Sequence, residues 1–396
     1  MFDEKLPYRV FDADNHFYEP AGILEKYLES KFLDRVAVDY TPEKAAQHNA
    51  KIRAELEQRK KEGGLIPGMA LNKMNPLRDK SAEERERIVE EFRALHGAYQ
   101  DRERRIDVMD AQGIEAALMF PTGVGVGIWS NNCNDPEANV ANVRAFNRWS
   151  EDTWGWAYKD RIFTPAVIGL VDLDAGLAEL DRCIAAGART VLLPPGPLYN
   201  RAPADPFYDG LWGRLAESGV RPVVHLGYTG YQVSGKYFGY DPDMHYFDGF
   251  DAFQWLNYWG DRPIMETISS LIFDNLFTRF PQLRVGIIEH GCVYLPYLLR
   301  KMDHAIAMRK PTRNGTLPAR PSEIFQQHFV VAPYPEENIT RVLEVVGPDC
   351  LVFGSDFPHP EGLSDPVAYI HQLERLPEDT QRNIMRENLA RFLAVA

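Results

Sequence analysis

A chain of 396 residues, 45% apolar and 26% charged, can build a sizeable core and is too long for one small domain, so wholesale disorder is excluded. Its formal net charge of −13 argues against a nucleic-acid binder or a partner of anionic membranes, since both surfaces repel an acidic protein. Cys133, Cys183, Cys292 and Cys350 lie far apart, and neither an apolar signal core nor a run of ~18 apolar residues occurs, so free thiols in a soluble, cytoplasmic protein are expected.

The first predicted strand is YRVFDADNH (8–16), in which Asp12, Asp14 and His16 alternate. Residues two apart in an extended chain point the same way. Three polar side chains therefore face the fold, where an unpaired charge is costly. A metal ion or a hydrogen-bond network must compensate them. Seven more apolar runs follow: EAALMFP (115–121), RIFTPAVIGL (161–170), TVLLPPG (190–196), RPVVHLG (221–227), LRVGIIEHG (283–291), HFVVAPY (328–334) and CLVFGSDFPH (350–359). Several are nearly continuous Val, Ile, Leu and Phe, as parallel strands covered on both faces require.

Helical patterns fill the intervals. Val140, Val143, Phe146 and Trp149 make one stripe; Leu173, Leu177, Leu180 and Ile184 make another before Gly187. Phe207, Leu211 and Leu215 repeat the pattern before Gly219, and the ITRVLEVVG and EDTQRNIMRENLARFLAV segments close the chain. Eight strands alternating with helices predict an α/β fold, a single-domain (β/α)8 TIM barrel spanning 1–396. An open doubly wound sheet is the runner-up, weakened because no G-x-G-x-x-G opens a helix after the first strand. Two intervals are too long for plain connections. Residues 37–105, rich in charge, predict helices with solvated faces inserted after strand one. The aromatic-rich stretch 228–262 leaves strand five on the face where such barrels place their sites, and predicts a pocket wall combined with a subunit contact.

Polar residues gather at the predicted strand ends: Asp14 and His16 on strand one, His225 on five, Glu289 and His290 on six, Asp356 on eight. In a parallel barrel these ends converge on one pocket. A lone histidine at a strand end is ordinarily a hydrogen-bonded core residue, but joint occurrence in strand order favours a metal site. Imidazoles and carboxylates together suit a divalent cation of the zinc, manganese or iron type. An open position on it would take water or a substrate oxygen. His48, His96, His304 and His371 read as surface residues, and His328 lies at the opposite barrel end. Tyr18, Trp129, Tyr228, Tyr334 and His359 are candidate pocket-lining residues, and His245 is within reach of a substrate on the same reading.

The combination DADNH, VVHLG, IIEHG, FGSDFPHPEG and RENLARFL, with PSEIFQQHF before strand seven, resembles the amidohydrolase-related family. That branch includes aminocarboxymuconate-semialdehyde decarboxylase and the resorcylate-type decarboxylases. The resemblance covers 8–36 and 106–396. It implies metal ligation by Asp14, His16, His225 and Asp356, with Asp356 also acting on water and His290 polarising substrate or moving protons. The family commonly opens with His-x-His or Glu-x-His, so Asp14 is a departure, and a harder ligand. TVLLPPG offers no bridging lysine, which implies one ion, zinc foremost with manganese or iron as alternatives. Asp12 is expected as a buried hydrogen-bond partner of the site, and Glu289 as the residue orienting His290. The expected activity is hydrolysis of a small carboxylic-acid derivative: an amide, ester, lactone or thioester. Non-oxidative decarboxylation of an aromatic or unsaturated acid is the alternative. A homodimer or higher homo-oligomer is expected.

Overall fold

The computed structural model of the protein describes residues 2, 4–37, 54, 81, 83, 87, 90–91, 94–131, 135–227, 229, 231–240, 251–359 and 362–395, without the side chains of 129–131 and 231–234. Within them, β1 (Val10–Phe17), β2 (Ile114–Pro121), β3 (Ala157–Tyr158) and β4 (Ile162–Phe163) form one sheet in the order β1-β2-β4-β3. A second sheet runs in chain order through β5 (Ala166–Val167), β6 (Thr190–Leu193), β7 (Arg221–His225), β8 (Val285–Ile288) and β9 (Phe329–Val331). Every pairing is parallel except β3 with β4.

The predicted third strand, 161–170, is thus divided between β4 and β5. Pro165 stands at the break and has no N–H to give to a ladder. The predicted eighth strand is present only as two parallel bridges, Val331↔Leu351 and Asn15↔Phe357. These bridges join the two sheets into a ring. Val352 N donates to Val331 O (2.9 Å) on one side, and Ala13 N donates to Phe353 O (2.8 Å) on the other. All eight residues of β1 are buried, Asp12, Asp14, Asn15 and His16 among them. A strand covered on both faces leaves its polar groups nowhere to turn but toward one another.

Helices follow the apolar stripes and stop where the chain can turn left-handed. Asp172 caps the helix Leu173–Ala185 by accepting from Ala175 N, and Gly187 (φ 96°) lies just past its end. The helix Asp209–Ser218 ends on Gly219. Phe207 precedes that helix and is exposed, so the stripe begins at Leu211. Asp135 caps the helix Pro136–Thr153, which buries Val143, Phe146 and Trp149. The C-terminal segment is a helix Glu378–Arg382, a π turn Asn383–Glu387 and a helix Asn388–Leu393.

Most of the helical insertion expected over 37–105, with His48, lies outside the described residues. Its described end corrects the solvated-face reading: Arg105, in the helix Arg102–Gln112, is fully buried. The described part of the aromatic interval holds a 3-10 segment Tyr231–Phe238, a π turn Trp255–Trp259 and the helix Asp261–Phe273. Tyr258 is buried there, whereas Tyr237, Phe238, Trp255 and Leu256 are exposed. Among the described residues no helix is long and apolar enough to cross a membrane.

Candidate metal centre

The C-terminal ends of β1, β7, β8 and the 351–357 segment meet. His16 Nε2 stands 3.2 Å from Asp14 Oδ1 and 3.2 Å from Asp356 Oδ1. His225 Nε2 stands 3.3 Å from Asp14 Oδ1 and 3.3 Å from Glu289 Oε2. His359 Nδ1 is 2.8 Å from Asp356 Oδ1, and its ring stacks on that of His16 with centroids 3.9 Å apart. Three overlapping triads, Asp14–His16–His225, His16–Asp356–His359 and Asp14–Glu289–Asp356, each place their donor atoms within 4.8 Å of one another.

These residues fit a divalent cation. His16 Nε2, Asp356 Oδ1 and His359 Nδ1 are shielded from water yet complete no hydrogen bond, despite their short separations. Donor atoms aimed at a shared point, rather than at each other, have this geometry. Three carboxylates so close together also need positive charge between them. The set of Asp14, His16, His225 and Asp356 would hold the ion.

Backbone conformation delivers the acids. Asp356 (φ 57°) and Glu289 (φ 56°) both adopt the left-handed region at the end of a strand. Asp356 N donates to Asp14 O at 2.8 Å, which fixes one acid relative to the other. Strands one and eight touch at Gly354, where an added Cβ would meet the Cβ of Asp14 at 2.8 Å and that of Ala332 at 3.2 Å. Gly354→Ala is therefore expected to displace Asp14, costing about 1–3 kcal/mol of stability and lowering metal affinity about tenfold. Thermal melting and chelator competition measure both. Unchanged values in the two would show that the wall yields without moving the ligand.

A second layer surrounds these donors. Asp12 accepts from Asp14 N (3.1 Å), Asn15 Nδ2 (2.9 Å), Ser355 N (2.9 Å) and the Ser355 hydroxyl. Arg105 Nη2 donates to His16 O (2.7 Å), Phe357 O (3.3 Å) and the Asn15 side chain. One buried guanidinium thus ties the ends of strands one and eight together. Glu19 accepts from Thr122 N (3.3 Å), Gly123 N (3.2 Å) and Gly125 N (3.0 Å), organising the turn after β2. The Thr122 hydroxyl donates to Phe17 O (2.7 Å) and lies 3.2 Å from His359 Nε2.

Charge states follow from this packing. Burial opposes the charged form of His16, but Asp14 and Asp356 outweigh it and raise its pKa to about 9. Burial also works against ionised Asp356, yet His359 and His16 hold its carboxyl well below the usual range. Asp14 is likewise lowered, its burial overcome by His16 and His225. Burial, with His225 alongside, pushes His290 down to about 3, so its imidazole stays neutral. Asp12 is raised to about 7 by burial, against the bonds it accepts.

The structure brings Asp14, His16, His225, Asp356 and His359 together as direct neighbours. It also buries His290 beside His225, with His290 Nε2 lacking a hydrogen-bond partner. Asp12 lies behind them in the hydrogen bonds above. Tyr18 packs its ring 5.5 Å from Tyr99 and 5.9 Å from His359. Tyr334 donates its hydroxyl to Glu289 O at 2.7 Å, so it holds a backbone turn. Tyr228, His245, Cys133 and the Trp129 side chain lie outside the described residues. Two contributions differ from what the sequence implied. Glu289, expected to orient His290, reaches His225 itself through a left-handed φ. Arg105 sat in a charged run, DRERR, with no local signal of burial.

The chain is similar to known proteins along its length. A family model described as Amidohydrolase matches residues 12–395. The crystal structure of an amidohydrolase from Mycobacterium avium subsp. paratuberculosis K-10 is similar with a TM-score of 0.77, at 30% identity over 99% of both chains. A 5-carboxyvanillate decarboxylase from Novosphingobium aromaticivorans DSM 12444, solved with manganese and 4-hydroxy-3-methoxy-5-nitrobenzoic acid, shares the fold with a TM-score of 0.62. Its identity is 16% over 98% of this chain and 97% of its own. In sequence, 2-amino-3-carboxymuconate-6-semialdehyde decarboxylase of Dictyostelium discoideum is 26% identical over 129 residues, 32% of this chain and only 36% of that relative's length. These neighbours make the ring of parallel strands a TIM barrel. Since the family match runs from Asp12 on the first strand to beyond Asp356 on the last, and so takes in every donor at the barrel mouth, the chain belongs to the amidohydrolase family and is an enzyme of that superfamily.

Proposed function

We propose that this enzyme removes CO2 non-oxidatively from an aromatic or unsaturated carboxylic acid, using one divalent cation held by Asp14, His16, His225 and Asp356. The observation that carries the reading is the convergence of these four donors at the mouth, with the neutral imidazole of His290 beside His225. The likeness to a decarboxylase over 129 residues supports it, and puts decarboxylation ahead of the hydrolysis that the sequence placed first. When bound, the cation supplies a Lewis acid that draws charge from substrate oxygens. The carboxylate-rich donor set suits manganese at least as well as zinc.

The residues then divide the remaining work. The bond between the substrate carbon and its carboxylate breaks, the electron pair stays on that carbon, and the carbon takes one proton. That proton is drawn from water and reaches the carbon by way of the Asp356 carboxylate, which sits among these donors. His290, kept neutral by burial, gives its one ring N–H to the His225 backbone, which leaves the unpartnered Nε2 to accept a hydrogen bond from a substrate hydroxyl.

One observation favours hydrolysis as a second reading. Asp14, Glu289 and Asp356 together outweigh the charge of a single divalent cation, which opposes a fourth carboxylate and favours an uncharged ester or amide. Incubating metal-loaded enzyme with hydroxybenzoic and unsaturated acids, and with their esters, in heavy-oxygen water separates the two. CO2 release from an acid is the expected result. Heavy oxygen entering an acid product, with no CO2 from any acid, would replace decarboxylation by hydrolysis.

A further inference from the structure

We infer that Glu289 is a fifth protein ligand of the centre, swung into it by a left-handed turn that Tyr334 holds. This rests on the metal site proposed above and adds a donor to it.

The strand β8 ends at Ile288. Were the next residues extended, Glu289 and His290 would point to opposite sides. Instead Glu289 takes φ 56° and Gly291 φ 60°, and the Glu289 carboxylate comes to 3.3 Å from His225 Nε2. The glutamate side chain is only 12% exposed, and one of its oxygens lies within 4.8 Å of donor oxygens from both Asp14 and Asp356.

Glutamate disfavours the left-handed region, so the turn must be held from outside. The next strand end does this. Tyr334 donates its hydroxyl to Glu289 O at 2.7 Å. Glu337 accepts from Cys292 N (2.8 Å) and Tyr334 N (3.1 Å), fastening the loop after β8 to the loop after β9. Asp356 reaches the same point through the same backbone conformation, at φ 57°. Two acids on two strands are thus turned inward by one device. Three carboxylates at this separation repel unless a cation sits among them. The unpartnered Asp356 Oδ1 and His16 Nε2 mark where it would be.

The test measures manganese affinity of the full chain by chelator competition, with the paramagnetic resonance spectrum of bound Mn2+ as a second readout. Glu289→Ala is expected to bind Mn2+ about 10- to 100-fold more weakly, with a changed spectrum. Glu289→Gln keeps the volume without the charge and should fall between it and wild type; it carries the test if the alanine variant does not fold. Tyr334→Phe should weaken binding severalfold and alter the spectrum in the same sense, which lost packing alone would not do. Affinities within twofold of wild type in both Glu289 variants, with Asp356→Asn severely weakened, would overturn the Glu289 ligand and leave the four-residue site standing. No uptake of Mn2+ or Zn2+ by the wild-type chain would overturn the site itself.

Discussion

Replacing Asp356 by asparagine should abolish most turnover, by roughly 10²–10⁴-fold, while the protein remains folded. Asparagine has nearly the same shape but neither the negative charge nor the capacity to take and return a proton. It tolerates a positive φ about as well as aspartate, so the turn at φ 57° survives the change. The Asp356 N to Asp14 O bond at 2.8 Å involves only backbone and survives too. What disappears is the anionic oxygen that faces His16 at 3.2 Å and His359 at 2.8 Å. Turnover of the best acid substrate and a melting curve check the two parts, and elemental analysis of the same preparation shows whether the metal stays bound. Near-normal turnover in a folded Asp356→Asn protein would remove Asp356 from the mechanism.

Metal uptake should steepen with pH. In the metal-free protein His16 holds a proton up to about 9, because Asp14 and Asp356 outweigh the burial that disfavours its charge. A ligand must shed its proton to bind a cation. Below that pKa, apparent affinity should therefore rise about tenfold per pH unit, or roughly a hundredfold between about pH 6 and about pH 8. Asp14 and Asp356 add no proton competition in that window, since both carboxyls are lowered from their usual range. The metal-free fold should respond in the opposite sense. A raised folded-state pKa contributes stability below the group's ordinary value, 6.5 for His16, and loses it as pH climbs through about 9. Asp12, raised to about 7 by burial, acts in the same direction between its ordinary 3.8 and about 7. Chelator-competition titrations and melts with and without Mn2+ across this range test both trends. A flat affinity from about pH 6 to about pH 8 would show that His16 surrenders no proton to the metal.

Much of this protein was readable before folding, because the relevant signals are local. The apolar runs marked β1, β2, β6, β7 and β8, since strands buried on both faces need nearly continuous apolar sequence. DADNH, VVHLG and FGSDFPH pointed to Asp14, His16, His225 and Asp356, because strand ends in a parallel barrel converge whatever their separation in sequence. What the tertiary structure alone decided depends on contacts between distant segments. Arg105 is buried because carbonyls at His16 and Phe357, on opposite sides of the barrel seam, accept its protons; DRERR looks solvated on its own. Glu289 faces His225 because Tyr334, on another loop, holds its turn against a backbone conformation that glutamate disfavours. Periodicity assigns a residue to a face only while the chain stays regular, and at these strand ends the barrel's neighbours bend it.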